Sequence, residues 1–339
     1  MRIAVIGAGA MGGVVAALLH RAGHEVEVTA RGDGLDAIRE HGIRLSGAWG
    51  DHVARVSAGP ALSATPELAI VATKAMDAAA AVQANAAVLD GVPVVVLQNG
   101  MGGLESVAAA LPRSSVIGAL SLIAATYRAP GEVVVTAPAG TWLGTIEGVG
   151  APADPTTLHR IATTLAMAFP VTLVDDFAGA RWTKLLINQL NALPAITGLS
   201  VQDVVADAGL RRIMAASMRE AARIAIASGI HFVEVNGVTH AQVEALAAGN
   251  LAEAESLPWQ LRDYLGDVPN PGSTLQSIRR GQASEIDHLN GAVVREGLAA
   301  GMPAPVNATL TRLVHDVERT GTHLGIEETI EALRDAIEE

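Results

Sequence analysis

Near its start the chain passes from an unbroken apolar run, Ile3-Ala4-Val5-Ile6, straight into Gly7-Ala8-Gly9-Ala10-Met11-Gly12. A buried strand that ends in glycines at the first, third and sixth positions of a turn, and then opens a helix, constrains the fold more than any other stretch. The first glycine permits the tight turn, the second lets the backbone approach a pyrophosphate, and the third lets the helix seat closely on its strand. A second strand-like run, Glu25 to Thr29, completes the unit within about 30 residues, as dinucleotide binding requires. Gly7, Ala8, Gly9, Ala10, Met11 and Gly12 are therefore candidate cofactor-binding residues. The plainer alternative is a glycine turn that holds no ligand.

The same rhythm continues. Short β-branched runs at Leu68 to Thr73, Val92 to Leu97 and Val116 to Leu120 alternate with alanine-rich helical stretches. Several of these runs lack polar alternation, as expected of parallel strands covered by helices on both faces. Glu132 to Thr136 and Thr141 to Leu143, separated by Pro138 and Gly140, read as a hairpin-like extension. Val171 to Val174 then closes the domain. From Asp176 the pattern changes to helical spacing with almost no strand-like runs. The expected architecture is an α/β, Rossmann-type, doubly wound domain over residues 1–175, followed by an all-α domain over residues 176–339. The prolines and glycines of Gly266 to Gly272 form a loop that leads to a new helix near Ser273.

Composition narrows the function. A formal net charge of −12 argues against nucleic acid and anionic membranes as partners. Glycine, proline or charge interrupts each apolar run before the roughly 20 residues that span a bilayer. With no signal-like segment ahead of the first strand, the chain reads as cytoplasmic. No cysteine is present, so thiolate catalysis and zinc–thiolate sites fall away. His20 and His24 have helical spacing, but Gly23 breaks it, and no metal site is expected. An apolar helical domain can bury its surface internally or against a second copy, so a homodimer stays open.

The end of the second strand discriminates between cofactors. An acidic residue there would bind the ribose 2′-hydroxyl of NAD; this chain has Thr29-Ala30-Arg31, with Asp33 nearby. Arg31 can pair with a 2′-phosphate, which points to NADPH. An ordinary exposed arginine is the alternative.

Only two of the 23 basic residues are lysine, Lys74 and Lys184. Codon bias toward arginine accounts for the scarcity but not for where the two lie. Lys74 follows the strand Leu68 to Thr73, at the carboxyl end where open α/β sheets bind ligands. Lys184 lies just past the domain boundary. A partly buried lysine can shift its pKa and act as a general acid, which arginine cannot. Asn99, in the Gln98-Asn99-Gly100 turn after Val92 to Leu97, can hydrogen-bond nicotinamide, substrate or lysine, or can simply form the turn.

In these motifs the chain resembles the ketopantoate reductase (2-dehydropantoate 2-reductase) family. The likeness runs from the glycine turn through Arg31, Thr73-Lys74-Ala75, Asn99-Gly100-Met101-Gly102 and Trp182 to Asn188. It ends in Ser273 to Ile278 and Glu285-Ile286-Asp287-His288-Leu289-Asn290-Gly291. The resemblance implies NADPH-dependent reduction of a 2-oxo acid, with ketopantoate giving pantoate, as in pantothenate biosynthesis. It implies Lys184 as the general acid and Glu285 as the residue that orients it and binds the substrate hydroxyl, beside the cofactor. It further implies Asn99 between nicotinamide and lysine, Ser273 on the substrate carboxylate, Asn188 on the substrate and Lys74 beside the cofactor.

Plainer roles compete. Ser284-Glu285-Ile286-Asp287 has the form of a capping box, Ser273 can be a helix N-cap, and Asn188 can face solvent. Members of the family commonly carry a second asparagine eight residues past the lysine; here position 192 is alanine and Asn191 stands one residue earlier. On a continuous helix, seven steps return to within about 20° of Lys184, so Asn191 becomes a substrate-binding candidate. The departure leaves room for another 2-oxo acid or keto compound. A non-catalytic NADPH-binding sensor is the rival from a different class.

Overall fold

The structure, a computed structural model, describes residues 1–338. Its strands are β1 (Arg2–Ile6), β2 (Glu25–Thr29), β3 (Ile43–Gly47), β4 (His52–Ala54), β5 (Ser57–Gly59), β6 (Leu68–Val71), β7 (Val94–Leu97), β8 (Val116–Ser121), β9 (Ala124–Ala129), β10 (Glu132–Ala137), β11 (Thr141–Gly144) and β12 (Val171–Leu173). Two compact units result. One comprises Met1–Gln98 and Gly102–Ala178; the other comprises Asn99–Met101 and the chain from Gly179 onward. They part inside the helix Phe177–Asn188.

The first unit is α/β and doubly wound, as the run of unalternated strands predicts. Its large sheet has the order β12-β11-β8-β7-β6-β1-β2-β5. Strands β8, β7, β6, β1, β2 and β5 are parallel, and β11 runs antiparallel to β8. All four residues of β6 and of β7 are buried, as strands covered on both faces must be. The order in which strands are added reverses between β1 and β6, the switch point where such sheets open a crevice at their carboxyl ends.

A second sheet, β4-β3-β10-β9, is not apparent from the sequence pattern. It explains the helix Ala10–Arg21, whose residues Gly12 through Leu19 are all buried. A helix that is apolar all round must be covered all round. Val14, Val15, Leu18 and Leu19 share one core with Ile3 and Val5 of the large sheet and with Ile43, Leu45, Val133 and Val135 of the small one. The expected hairpin is corrected here. Thr141–Gly144 pairs with β8 in the large sheet, whereas β10 pairs with β9, antiparallel, and with β3, parallel. The hairpin turn is Pro130-Gly131, between β9 and β10, not Pro138 to Gly140.

The second unit is helical. The helix Ala208–Ala227 buries Leu210, Ile213, Met214, Met218, Ala221 and Ala225, and the helices Asn290–Ala299 and Pro305–Thr320 pack against it. Glu220 ties this packing together. Its carboxylate accepts the backbone N–H groups of Val306 (2.8 Å) and Asn307 (2.9 Å), capping the helix Pro305–Thr320 from outside it. Burial pushes the Glu220 pKa up, and the hydrogen bonds from Asn307 and Val306 work against that rise.

Candidate functional site

In the sheet unit the glycine turn lies at the reversal of strand order. Gly7 has φ +98°, and a Cβ there would lie 2.8 Å from Thr73 Cγ2, so only glycine fits. Its N–H donates to Thr29 Oγ1 at 3.1 Å, which fastens the turn to the end of β2. A Cβ on Gly12 would lie 1.8 Å from the Gly7 carbonyl oxygen, and one on Gly13 would lie 2.8 Å from Val133 Cγ1. The two glycines thin the first helical turn toward both sheets. Gly9 differs: a Cβ there would meet nothing within 4 Å. Packing therefore leaves Gly9 unconstrained, and the space beside it is open. The helix that begins at Ala10 has no side-chain cap and no acid in its first turn. Its N–H groups and dipole are thus left to an outside anion, the arrangement a pyrophosphate needs.

Arg31, two residues past the end of β2, is the N-cap residue of the helix Gly32–His41. It is exposed, and Asp33 lies in the first turn of the helix that follows. Lys74 holds the same position before the helix Ala75–Gln83, at the carboxyl end of β6, and is partly buried. Beside it, Gln98 Nε2 donates to the Thr73 carbonyl at 2.8 Å. Thr73 Oγ1 and Gln98 Oε1 are buried without a partner among the described residues, which marks the ends of β6 and β7 as polar ground.

In the helical unit, Lys184 and Asn188 lie one turn apart on the helix Phe177–Asn188, on one stripe. Lys184 is partly accessible, yet burial alone lowers its pKa to about 8. The expected electrostatic support from Glu285 is not among the causes. Asn188 is only 5% exposed, and its Nδ2 has no acceptor among the described residues. Solvent-facing is thus not its role. A lysine without an offsetting charge and a buried amide donor without an acceptor both call for oxygen atoms that the described residues do not supply.

The α-helix stops at Asn188, and Gln189–Asn191 is a 3-10 turn. At about 120° per residue in that turn, Asn191 comes to about 40° from Lys184 rather than about 20°. Its amide is committed at both ends: Nδ2 donates to the Asn188 carbonyl (3.0 Å), and Oδ1 accepts the Ser273 N–H (3.0 Å). Ser273 is exposed at the second position of the helix Gly272–Arg279, not at its N-cap. The loop before it hangs on Gln202, which sequence reasoning does not single out. Gln202 donates to the carbonyls of Gly266 (2.9 Å) and Val268 (2.8 Å) and accepts from Asn270 N (2.9 Å).

Glu285 is partly buried at the start of the 3-10 turn Ile286–His288. The capping box is absent there. Ser284 N donates to Glu318 (2.7 Å), and Asp287 pairs with His315 at 2.9 Å. Asn99, partly exposed, belongs to this unit through Met101, whose N–H donates to the His288 carbonyl at 2.9 Å.

A parallel sheet with a glycine turn at the reversal of its strand order, in one chain with a helical unit carrying a desolvated lysine, is the arrangement of a dinucleotide-binding protein with a candidate general acid. Comparison with known proteins narrows that class. Residues 3–148 match the family described as "Ketopantoate reductase PanE/ApbA", and residues 176–318 match its C-terminal domain. The structure of a PanE/ApbA family ketopantoate reductase from Ralstonia eutropha JMP134 is 30% identical, covers 95% of this chain and 100% of its own, and superposes with a TM-score of 0.80. A 2-dehydropantoate 2-reductase of Archaeoglobus fulgidus is 28% identical over 94% of this chain and 98% of its own. D-mandelate dehydrogenase in complex with NADH shares the fold, with a TM-score of 0.77 at 23% identity over 94% of this chain and 99% of its own. The chain belongs to the ketopantoate reductase PanE/ApbA family and is an oxidoreductase.

Proposed function

We propose that the protein reduces ketopantoate to pantoate with NADPH. The sheet unit carries the cofactor, and the helical unit carries the oxo acid and the proton donor. One observation carries this reading: Lys184 and Asn188, a turn apart, are both short of oxygen partners in the protein. A 2-oxo acid supplies such oxygens.

The residues divide the work. Gly7, Ala8, Gly9, Ala10, Met11 and Gly12 cradle the pyrophosphate, Arg31 pairs with the 2′-phosphate, and Lys74 lies beside the cofactor. When bound, reduced nicotinamide would supply the hydride that C2 of the substrate takes up. Lys184 gives a proton to the carbonyl oxygen as that carbon is reduced, so alkoxide charge never has to stand alone. Asn188 donates to a substrate oxygen, Ser273 holds the carboxylate, Glu285 binds the substrate hydroxyl, and Asn99 stands by the nicotinamide. Asn191 serves by fixing the Ser273 backbone.

Arg31 tests the cofactor. Losing a charge-assisted pair costs about 1.5–3 kcal/mol, roughly 10- to 150-fold in affinity. Arg31→Ala is expected to weaken NADPH by that factor and leave NADH unchanged in a titration of cofactor fluorescence. Equal effects on both would remove the 2′-phosphate from Arg31.

The fold likeness to D-mandelate dehydrogenase motivates a second reading, reduction of an aryl 2-oxo acid. Cofactor oxidation measured against ketopantoate and a panel of aliphatic and aryl oxo acids separates the two. The highest kcat/KM is expected with ketopantoate; a preference for an aryl acid would transfer the assignment.

A further inference from the structure

Asn99 occupies a turn that packs against a segment distant in sequence. Gly100 has φ +75°, and a Cβ there would lie 2.1 Å from the His288 carbonyl oxygen, so the turn is pressed directly against the backbone of His288. Two hydrogen bonds close this contact. Met101 N–H donates to the His288 carbonyl (2.9 Å), and the His288 ring returns a bond through Nδ1 to the Met101 carbonyl (2.8 Å), across 187 residues of sequence. A carbonyl oxygen only accepts, so Nδ1 carries the proton and the ring is a donor. His288 thus grips residue 101 by main chain and side chain together.

The other side of His288 is equally fixed. Its own N–H donates to the Glu285 carbonyl (2.8 Å), closing the 3-10 turn that carries Glu285. That turn is anchored to the helix Pro305–Thr320 by Ser284 on Glu318 and by Asp287 on His315, and Arg295 adds a bond to the Asp287 carbonyl (2.7 Å). Glu285 and Asn99, far apart in sequence, are held in one frame through His288.

We propose that His288 is a positioning residue of the reductase, setting Asn99 in register with Glu285 through the Nδ1–Met101 bond. This rests on the roles of Asn99 and Glu285 given above. A catalytic group displaced by about 1 Å costs on the order of 10²-fold in rate, so the effect belongs in kcat. The Glu285 turn keeps its own anchors on Glu318 and His315, so the groups assigned to the oxo acid, Ser273, Asn188 and Glu285, and those assigned to the cofactor phosphates, the glycine turn and Arg31, stay in place, and the KM for the oxo acid and NADPH affinity stay near wild type.

The test compares His288→Leu, which removes the donor, with His288→Asn, whose Nδ2 can reach the position of the ring Nδ1. Amide hydrogen exchange at Met101 and a melting curve accompany the kinetics. His288→Leu is expected to lose on the order of 10²-fold in kcat and to expose the Met101 amide to exchange; His288→Asn is expected to recover both. If the leucine variant does not fold, His288→Phe, a ring without the donor, replaces it with the same expectations. Wild-type kcat in a folded donorless variant, or a loss of kcat with Met101 still protected, would overturn the proposal. Should the wild-type protein reduce no oxo acid, the assignment of function fails by itself, and exchange at Met101 alone decides whether His288 holds the turn.

Discussion

Replacing Lys184 with alanine is expected to lower kcat by about 10²–10⁴-fold, the usual contribution of a positioned general acid, while NADPH binds as before. The separation follows from location. Lys184 belongs to the helical unit, and the glycine turn belongs to the sheet unit. Lys184→Arg is expected to be nearly as inactive, because a guanidinium keeps the charge but does not release its proton. The pH profile carries the sign. Burial lowers the Lys184 pKa to about 8, and only the ammonium donates. kcat/KM for reduction should therefore be level at lower pH and fall tenfold per pH unit above about 8, with that limb missing from the residual activity of the alanine variant. A kcat in Lys184→Ala equal to wild type would take the lysine out of the reaction.

The same burial has a stability consequence. The folded pKa lies below the unfolded value of 10.5, so folding favours the neutral amine. The stability this confers is present above the unfolded pKa and is lost as pH falls through the folded one, which at neutral pH leaves a charged, desolvated group opposing the fold. Lys184→Met should accordingly melt at a higher temperature than wild type at pH 7 while being inactive. A residue retained at such a cost is the pattern expected of a functional site.

The second large effect separates two glycines of one turn. Gly12→Ala places a methyl 1.8 Å from the Gly7 carbonyl oxygen, and Gly9→Ala places one in open space. Overpacking costs about 1–3 kcal/mol, so Gly12→Ala should lower the melting temperature and lose cofactor together. Gly9→Ala should melt like wild type and yet bind NADPH about 10- to 100-fold more weakly, because its methyl fills the space the pyrophosphate needs. Thermal melts and cofactor titration on the pair read this directly. Unchanged NADPH affinity in Gly9→Ala would mean that no pyrophosphate approaches the turn.

What the sequence reveals follows from how local each feature is. The glycine turn, the apolar strands β1, β6 and β7, and the positions of two lysines among many arginines are local signals, and each carries its own physical reason. The small sheet is not local. Its strand β4 is three residues long, too short to show alternation, and the burial of Val133 and Val135 makes sense only once the helix Ala10–Arg21 lies beneath them. Pro130-Gly131, rather than the later Pro138 and Gly140, makes the hairpin, and the two turn signals look alike without the pairing partners. The stripe from Lys184 to Asn191 assumes one helix geometry where the chain changes to a 3-10 turn. The bonds of Gln202 to the loop before Ser273, and of His288 to Met101, join residues too far apart in sequence for any periodicity to register.

Isotope transfer from cofactor to product examines the proposed reaction at the reacting carbon. NADPH carrying deuterium in place of the transferable hydride is incubated with ketopantoate and the enzyme, and the product is analysed by mass spectrometry and NMR. Pantoate bearing one deuterium at C2 is expected, formed by the wild-type protein and nearly abolished in Lys184→Ala. Absence of pantoate, or pantoate without deuterium at C2, would show that the chain does not perform this reduction.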